Sequence, residues 1–407
     1  MKLHPLLALL SLAALACEQG RQSAPSSTTQ IRDSAGIRIV ENPRPPDGSR
    51  LPWRIGSEPA VSIGAVAGEE PYMLVGAIDA TMLGDGRIVV ANGGTSELRV
   101  FDATGIHLAT WGGRGEGPGE FGGLHAVERW PGDSIIAWYT SPLGISAFDA
   151  QGNYGRTWEL AQEGSVPLLL GFRAEHATRD GSILAIHMPE SSDTVVVQLR
   201  DGEGRVRSSL GTHMVAEPYI HAQGTDQSLL LSKTFGHEPV WTPWGDLIVI
   251  GHTGRYELRA FAPDGSLARI VRRDHVPSSP TLEQVEAYID GQLAWTSDMA
   301  ESRRARWRQG YESAPVAEHF PAFESVMSDA AGHLWVAEYE FSTAARGTYD
   351  ERSPRLWTVF DPEGRMLGHV ETPEGLWIHE VGEDYILGTA LDEFNVDYVQ
   401  VWTLERL

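Results

Sequence analysis

The sequence predicts an all-β fold: a six-bladed β-propeller closed by an N-terminal strand and carrying a short helical insertion. Three observations predict it. A unit of roughly 50 residues recurs along the chain, which is the mark of a repeat architecture. Within each unit, β-branched and aromatic runs alternate with Gly- and Asp-bearing turns, the pattern of short antiparallel strands. The last unit lacks its outer strand, and an unassigned strand stands near the N-terminus.

The chain begins with a processing segment, residues 1–16. Lys2 supplies a positive start, and Leu6 to Ala16 is a leucine and small-residue run, too short for the ~20 apolar residues of a spanning helix. It ends at Cys17, the only cysteine. Ala14-Leu15-Ala16-Cys17 resembles the lipobox of bacterial lipoprotein precursors, although that family prefers Leu where Ala14 stands and a smaller residue where Leu15 stands. The resemblance implies lipidation at Cys17, and Glu18 in the following position implies the outer membrane. The alternative is an ordinary secretory signal with a chance cysteine. Residues 17–36 are rich in Gln, Ser, Thr and Arg and read as a flexible tether, with too few apolar groups to offset the entropy of ordering.

Residues 37–407 are assigned to the propeller. Ile37-Arg38-Ile39-Val40 is the orphan strand, expected to close the ring by joining the last blade. Trp53 to Gly64 would begin a seventh meander, but the stretch is too short alone. The first unit runs from Gly84 to Trp111 and the second from Pro131 to Trp158. The third starts at Arg179, the fourth at Pro243, the fifth at Ala330 with resumption at Arg355, and the sixth at Glu383. Gly105, Gly152, Gly265 and Gly364 stand where a tight turn demands positive φ. Asp102, Asp149 and Asp361 stand ahead of them as acceptors for backbone N–H groups. The third unit loses its Phe-Asp pair and the fourth reads Phe261-Ala262, so these two blades are the less regular. A three- or four-stranded meander cannot cover both its faces, and radial stacking solves that for every blade at once.

Between units four and five, residues 279–310 break the β pattern. Thr281-Leu282-Glu283-Gln284 forms a capping box after Pro280, and Leu282, Val285, Ile289 and Leu293 follow at helical spacing. Arg303, Arg304, Arg306 and Arg308 then crowd into two turns. They read either as a docking element for an anionic partner or as a helix face paired to acidic loops. Phe341 to Pro354 reads as a long loop within unit five.

Trp111-Gly112-Gly113-Arg114-Gly115-Glu116-Gly117-Pro118-Gly119-Glu120-Phe121, preceded by LRVFDATG, resembles the NHL-repeat signature. Asp33-Ser34-Ala35-Gly36-Ile37 with ENPRP, and FESVMSDAAGHLWVAEY, resemble bacterial lipoproteins known simply as six-bladed β-propeller proteins. The resemblance implies the fold and little about function, because propellers host many unrelated activities.

The formal net charge of −23 argues against nucleic acid as a partner. The expected partners are an envelope protein, a peptide or a glycan, with membrane contact through the lipid at Cys17 and the chain a monomer. No nucleophile elbow, phosphate loop, HExxH pair or EF-hand loop occurs. The GRGEGPGEF run opens no helix, so its glycines serve turns rather than a dinucleotide; Arg114, Glu116 and Glu120 are rim candidates. Strands preceding each repeat turn line the channel and supply Asp79, His125, Arg173, Glu175, His176, His237, Glu238, Glu324 and His379. No cofactor is predicted, but imidazoles and carboxylates of this kind would suit zinc or calcium, or acid–base chemistry, if they converged. The leading expectation is a binding module. The second is a metal-assisted hydrolase or lyase built on His125, His237 and His379.

Overall fold

A computed structural model describes residues 28–46, 48–140, 143–159, 173–187, 194–215, 217–223, 227–297, 299–342 and 356–407. The signal segment, Cys17 and most of the tether lie outside the described residues, as does nearly all of the 341–354 loop. The rest forms six blades around an axis. Blade one comprises Ala77–Met82, Ile88–Asn92, Glu97–Phe101 and His107–Gly112, from the channel outward. Blade two follows with Leu124–Trp130, Ser134–Thr140, Leu143–Phe148 and Tyr154–Glu159, and blade three with Arg173–Ala177, Ile183–His187, Thr194–Arg200 and Val206–Met214. Blade four is Pro239–Trp244, Leu247–His252, Glu257–Phe261 and Leu267–Arg273; blade five is Ser325–Ser328, Leu334–Ala337, Leu356–Phe360 and Met366–Glu371. Blade six has Trp377–Val381, Tyr385–Leu391 and Asp397–Glu405 from its own unit.

Six apolar clusters hold the ring, one at each blade-to-blade interface. Val89, Leu98 and Val100 of blade one meet Phe121, Val127 and Ile135 of blade two, and the same relation returns around the axis. The repeat turns have the expected chemistry. Gly105, Gly152, Gly265 and Gly364 have φ of 85°, 82°, 88° and 87°. Oδ1 of Asp102, Asp149 and Asp361 each accepts the N–H groups two and four residues on. Blade three, which lost its Phe-Asp pair, keeps the device with Asp201. These bonds favour the ionised carboxylate, so Asp102 titrates below the usual range, led by the Ile106 N–H.

The ring is closed from the N-terminal side, but not by the strand that the sequence suggests. Arg54–Ile55 and Val61–Ile63 pair antiparallel with Asp397–Glu405 and complete blade six, with Ile63 on Val399 and Ile55 on Leu404. Ile37–Asn42 instead runs parallel to Leu267–Arg273 and widens blade four. Gln30–Ser34 folds back on it through a turn at Ala35 and Gly36, both at positive φ, and forms an exposed sixth strand. Both N-terminal stretches are strand-like. What separates them is length: the chain leaves blade four at Asn42 and reaches blade six only at Arg54.

Blade-to-blade connections and second-to-third-strand loops emerge at one rim, and the tight turns at the other. Around blades four and five that rim is overgrown. A hairpin absent from the sequence reading, Pro218–Gln223 with Gln227–Ser232, lies between blades three and four. Two helices lie between blades four and five, α1 (Leu282–Gln292) and α2 (Glu301–Ser313). Thr281 caps α1 in a complete capping box, as expected. Ile289 and Leu293 are buried and Val285 packs on an aromatic cluster, but Leu282 projects beyond that surface and is 84% exposed. Phe235, Tyr288, Phe320, Tyr339 and Phe341 form the cluster, with the Phe235 ring 4.8 Å from both Tyr288 and Phe320. Phe235 holds φ at 55°, an uncommon conformation for so bulky a residue.

Candidate functional site

The channel-facing residues fall into pairs rather than one cluster. Asp79 of blade one meets His379 of blade six, Oδ1 to Nδ1 at 3.2 Å, while its Oδ2 accepts the Val127 N–H of blade two at 2.9 Å. The other nitrogen of His379 lies 2.8 Å from Thr389 Oγ1, and that hydroxyl is 3.2 Å from the Ala77 carbonyl. Carboxylate, imidazole and hydroxyl thus form a chain like that of a nucleophilic triad. Thr389 is fully buried, however, so no substrate reaches its oxygen. The chain ties the last blade to the first.

The second pair shows the same principle. Glu128 of blade two accepts from the Ala177 N–H of blade three at 2.6 Å and lies 3.0 Å from His176 Nδ1. Glu380 of blade six accepts from the Met82 N–H at 3.2 Å and the Thr81 hydroxyl at 2.6 Å. Glu128 faces Ile136 and Glu380 faces Leu387, equivalent steps in their blades; Thr81 and His176 are equivalent likewise, facing Val89 and Leu184. One acid therefore latches its blade to the backbone of the next at repeated positions. Tyr385 also donates to Glu380, and burial with the adjacent carboxylate pushes its hydroxyl well above the usual tyrosine range. Glu128, Glu380 and Thr389 were not among the sequence candidates; aligning the units on Ile88, Ile135, Ile183 and Ile386 brings the two acids into register.

His237 stands just before the inner strand of blade four, away from these pairs. Its backbone N–H donates to Glu217 Oε2 at 3.2 Å, and Nε2 lies 3.2 Å from the His319 carbonyl. Glu217 also takes the Lys233 ammonium at 3.1 Å. Burial pushes the Glu217 carboxyl upward, but the His237 N–H and Lys233 outweigh it and hold the group below the usual carboxylate range. Burial and then His237 push His252 downward, which keeps that imidazole neutral near pH 7. Glu238 donates its N–H to Thr253 Oγ1, and Glu324 is exposed with its backbone paired to Ala337. Arg173 and Glu175 lie in the inner strand of blade three, with side chains outside the described part. His125 is exposed. His125, His237 and His379 thus sit in three different blades with different surroundings. Among the described residues no group of three or more His, Cys, Asp or Glu side chains is placed to hold a metal ion.

The four arginines lie on α2. Arg308 pairs with Asp290 of α1 at 2.7 Å, Arg306 is half-buried, and Arg303 and Arg304 are exposed.

Among the described residues, the rim over blades six, one and two carries no α-helix or added hairpin. Arg114 Nη2 donates to the Gly94 carbonyl at 2.9 Å, and the Gly94 N–H donates to Val75 O at 2.8 Å. Asp397 Oδ2 accepts the N–H groups of Gly76 and Ala77 at 2.7 and 3.2 Å, drawing in the loop that carries Phe394. Trp377 opens the inner strand of blade six. Val75, Trp377 and Phe394 are exposed at 56%, 38% and 68%. Glu116 and Glu120 are exposed on the neighbouring loop, where Glu120 accepts the Gly117 N–H at 2.9 Å. Phe121, fully buried, pins that loop, and a side chain on Gly112 would collide with its ring. The GRGEGPGEF glycines are therefore turn and close-approach positions, as expected.

No family model and no curated protein matches the chain. Among solved structures it is similar to an exported protein from Bacteroides fragilis, at 11% identity over 91% of this chain and 99% of that one, with TM-score 0.48. It is similar to a member of the DUF4221 family from Bacteroides vulgatus at 10% identity, over 87% and 99% of the two chains, with TM-score 0.49. It is also similar to virginiamycin B lyase from Staphylococcus aureus at 9% identity, over 87% and 100%, with TM-score 0.37. Likeness at this level carries nothing about ligand or activity; the propeller rests on the blade topology. No helix among the described residues is long and apolar enough to cross a membrane.

Proposed function

We propose that this chain is an exported, lipid-anchored binding module that holds an envelope peptide or protein on the open rim of blades six, one and two. The carrying observation is that Val75, Trp377 and Phe394 are exposed on loops and a strand end of one rim, where Arg114 bonds to the Gly94 carbonyl and Gly94 to Val75. Solvent-facing Trp and Arg around an apolar patch are the side chains that dominate binding energy at protein interfaces. The channel histidines and carboxylates support the same reading from the other direction, since Asp79, Glu128, His176, His379 and Glu380 are occupied in joining blades. Export and anchoring are drawn from the leader-like run and Cys17.

The test is selection of displayed peptides on the mature chain. The selected sequences are expected to lose at least about 30-fold in affinity on Trp377→Ala or Phe394→Ala, the loss of a ~2 kcal/mol hot spot. They should be unaffected by Asp149→Ala on the opposite rim. Peptides that bind the double variant equally well would overturn the proposal. So would a glycan array that gives Trp377-dependent binding while peptides stay silent.

A further inference from the structure

We infer that the outer edge of blade four, at the root of the helical cap, is a lipid-docking face that rests on the bilayer carrying the anchor. The inference builds on the lipid-anchored reading above and adds a second contact to the acyl group. Three observations meet there. The described chain starts at this edge: Thr29 bonds to Asn42 at 3.0 Å, and the Asn42 carbonyl accepts from the Asp274 N–H at 2.9 Å. The 11 residues from Cys17 to Ser27 span at most roughly 40 Å, so an acyl group at Cys17 holds this edge within that reach of the membrane.

The segment leaving Asp274 then carries two apolar side chains into water, Val276 at 69% and Leu282 at 84% exposure. Val316 is exposed nearby, four residues before Phe320, whose N–H donates to the Ser278 carbonyl at 2.9 Å. The patch covers no core: Ile289, Leu293 and Phe320 already bury the inner side of the cap. One acyl chain gives only marginal, reversible binding, and apolar side chains entering the interface supply the second signal that stable attachment needs.

The chain carries net charge −23, so docking favours zwitterionic over anionic lipid. Blade one lies across the ring from blade four, so the open rim stands on the far side of the axis from the docking face.

Cys17, the sole cysteine, allows a direct test on the chain from Cys17 onward, coupled to maleimide lipid in phosphatidylcholine vesicles. Hydrogen exchange of residues 275–284 is expected to slow about tenfold relative to the uncoupled chain, as burial of one such side chain brings. Exchange of the Val75, Arg114 and Phe394 loops should stay unchanged. Leu282→Asp with Val276→Asp should abolish the protection while melting as the parent does. Uniform exchange in the coupled protein would overturn the inference, as would protection of the open rim instead. A concentration-dependent dimer lost in Leu282→Asp would overturn it too, assigning the patch to a second copy. The mass of the N-terminal fragment from the exporting cell reports lipidation independently. An unmodified Cys17 would sink the anchored reading without altering the vesicle result.

Discussion

The halves of this ring share one blade chemistry and differ at one rim. Among the described residues, blades six, one and two are joined without an α-helix or added hairpin, and Val75, Trp377 and Phe394 stand in solvent. Blades four and five carry a hairpin, two helices and an aromatic cluster on the same rim. Below the rim, the interface cores do not distinguish the halves: Phe121 serves one as Phe323 and Phe360 serve the other. The lesson is that the ring is held by its interfaces and turns, so its rim is free to diverge, and a rigid scaffold with variable loops is where binding develops.

The largest expected effect attacks the seam, which lies in the open half. Deleting residues 51–63 removes both strands that complete blade six and takes Leu51, Trp53, Ile55 and Ile63 out of two interface cores. The product should show no cooperative thermal transition. Deleting residues 28–36 removes only the exposed Gln30–Ser34 strand on the capped side and should leave the transition sharp. Equal tolerance of both deletions would mean that the ring does not depend on its seam.

Next in size is the buried carboxylate that joins blade five to the C-terminus. Asp329 lies 2.9 Å from both His333 Nδ1 and Arg406 Nη2, and 3.0 Å from Trp335 Nε1. Asp329→Ala is expected to destabilise by about 3–5 kcal/mol, since Arg406 keeps its charge and loses its partner. Burial alone would raise this carboxyl, but the bonds from His333 and Trp335 outweigh it and hold it below the usual range. With the folded pKa depressed, the stabilisation is complete above the unfolded value of about 4 and is lost as pH falls through the folded one. Asp329→Asn should therefore flatten the acid limb of a stability–pH curve while leaving its shape near neutrality.

How much of this was legible in the sequence follows the range of the interaction. The Phe-Asp-x-x-Gly turns are local, so Gly105 and Asp102 could be read directly, and Asp201 could have been by asking which residue accepts the turn's N–H groups. The partner of Ile37–Val40 is decided some 230 residues away, and a two-residue strand such as Arg54–Ile55 leaves no pattern to read. The hairpin at 218–232 has no Phe-Asp-x-x-Gly turn and no clean alternation, with Tyr219-Ile220 and Leu229-Leu230-Leu231 as its only apolar runs, which hid it. Helical spacing put Leu282 on the stripe with Ile289, yet spacing cannot say where the packing partner ends. Of the channel residues, Asp79 with His379 was brought together and His125 was not: the inner strands of blades six and two carry β-bulges at 378–380 and 124–126, and spacing alone does not show where a bulge re-aims a side chain.

A smaller effect separates the cap from the ring. Phe320→Ala removes the ring that contacts Phe235, Tyr339 and Phe341, at 4.8, 5.4 and 6.0 Å. A buried Phe→Ala change costs about 3–5 kcal/mol where it touches a whole core. Here the loss should fall on the cap, as faster exchange in 282–313 with blades six, one and two unchanged. Global unfolding on the same substitution would mean that the cap is part of the ring's core and the two halves are not separable.

The smallest effect on stability should come from Phe394, the most exposed of the three apolar side chains at the open rim. Phe394 sits in a loop closed without its side chain: Asp392 Oδ1 accepts the N–H groups of Phe394 and Val396, and the Asn395 N–H returns to the Asp392 carbonyl. Its ring is mostly in solvent, so Phe394→Ser removes little buried area and should shift stability by no more than about 0.5 kcal/mol. A residue that contributes almost nothing to the fold and still exposes an aromatic ring, on the loop that Asp397 ties to Gly76, fits a role in contact rather than in packing. If Phe394→Ser instead destabilised the ring by ~2 kcal/mol, the exposed patch would be part of its packing, and the contrast between an open and an occupied rim would fail.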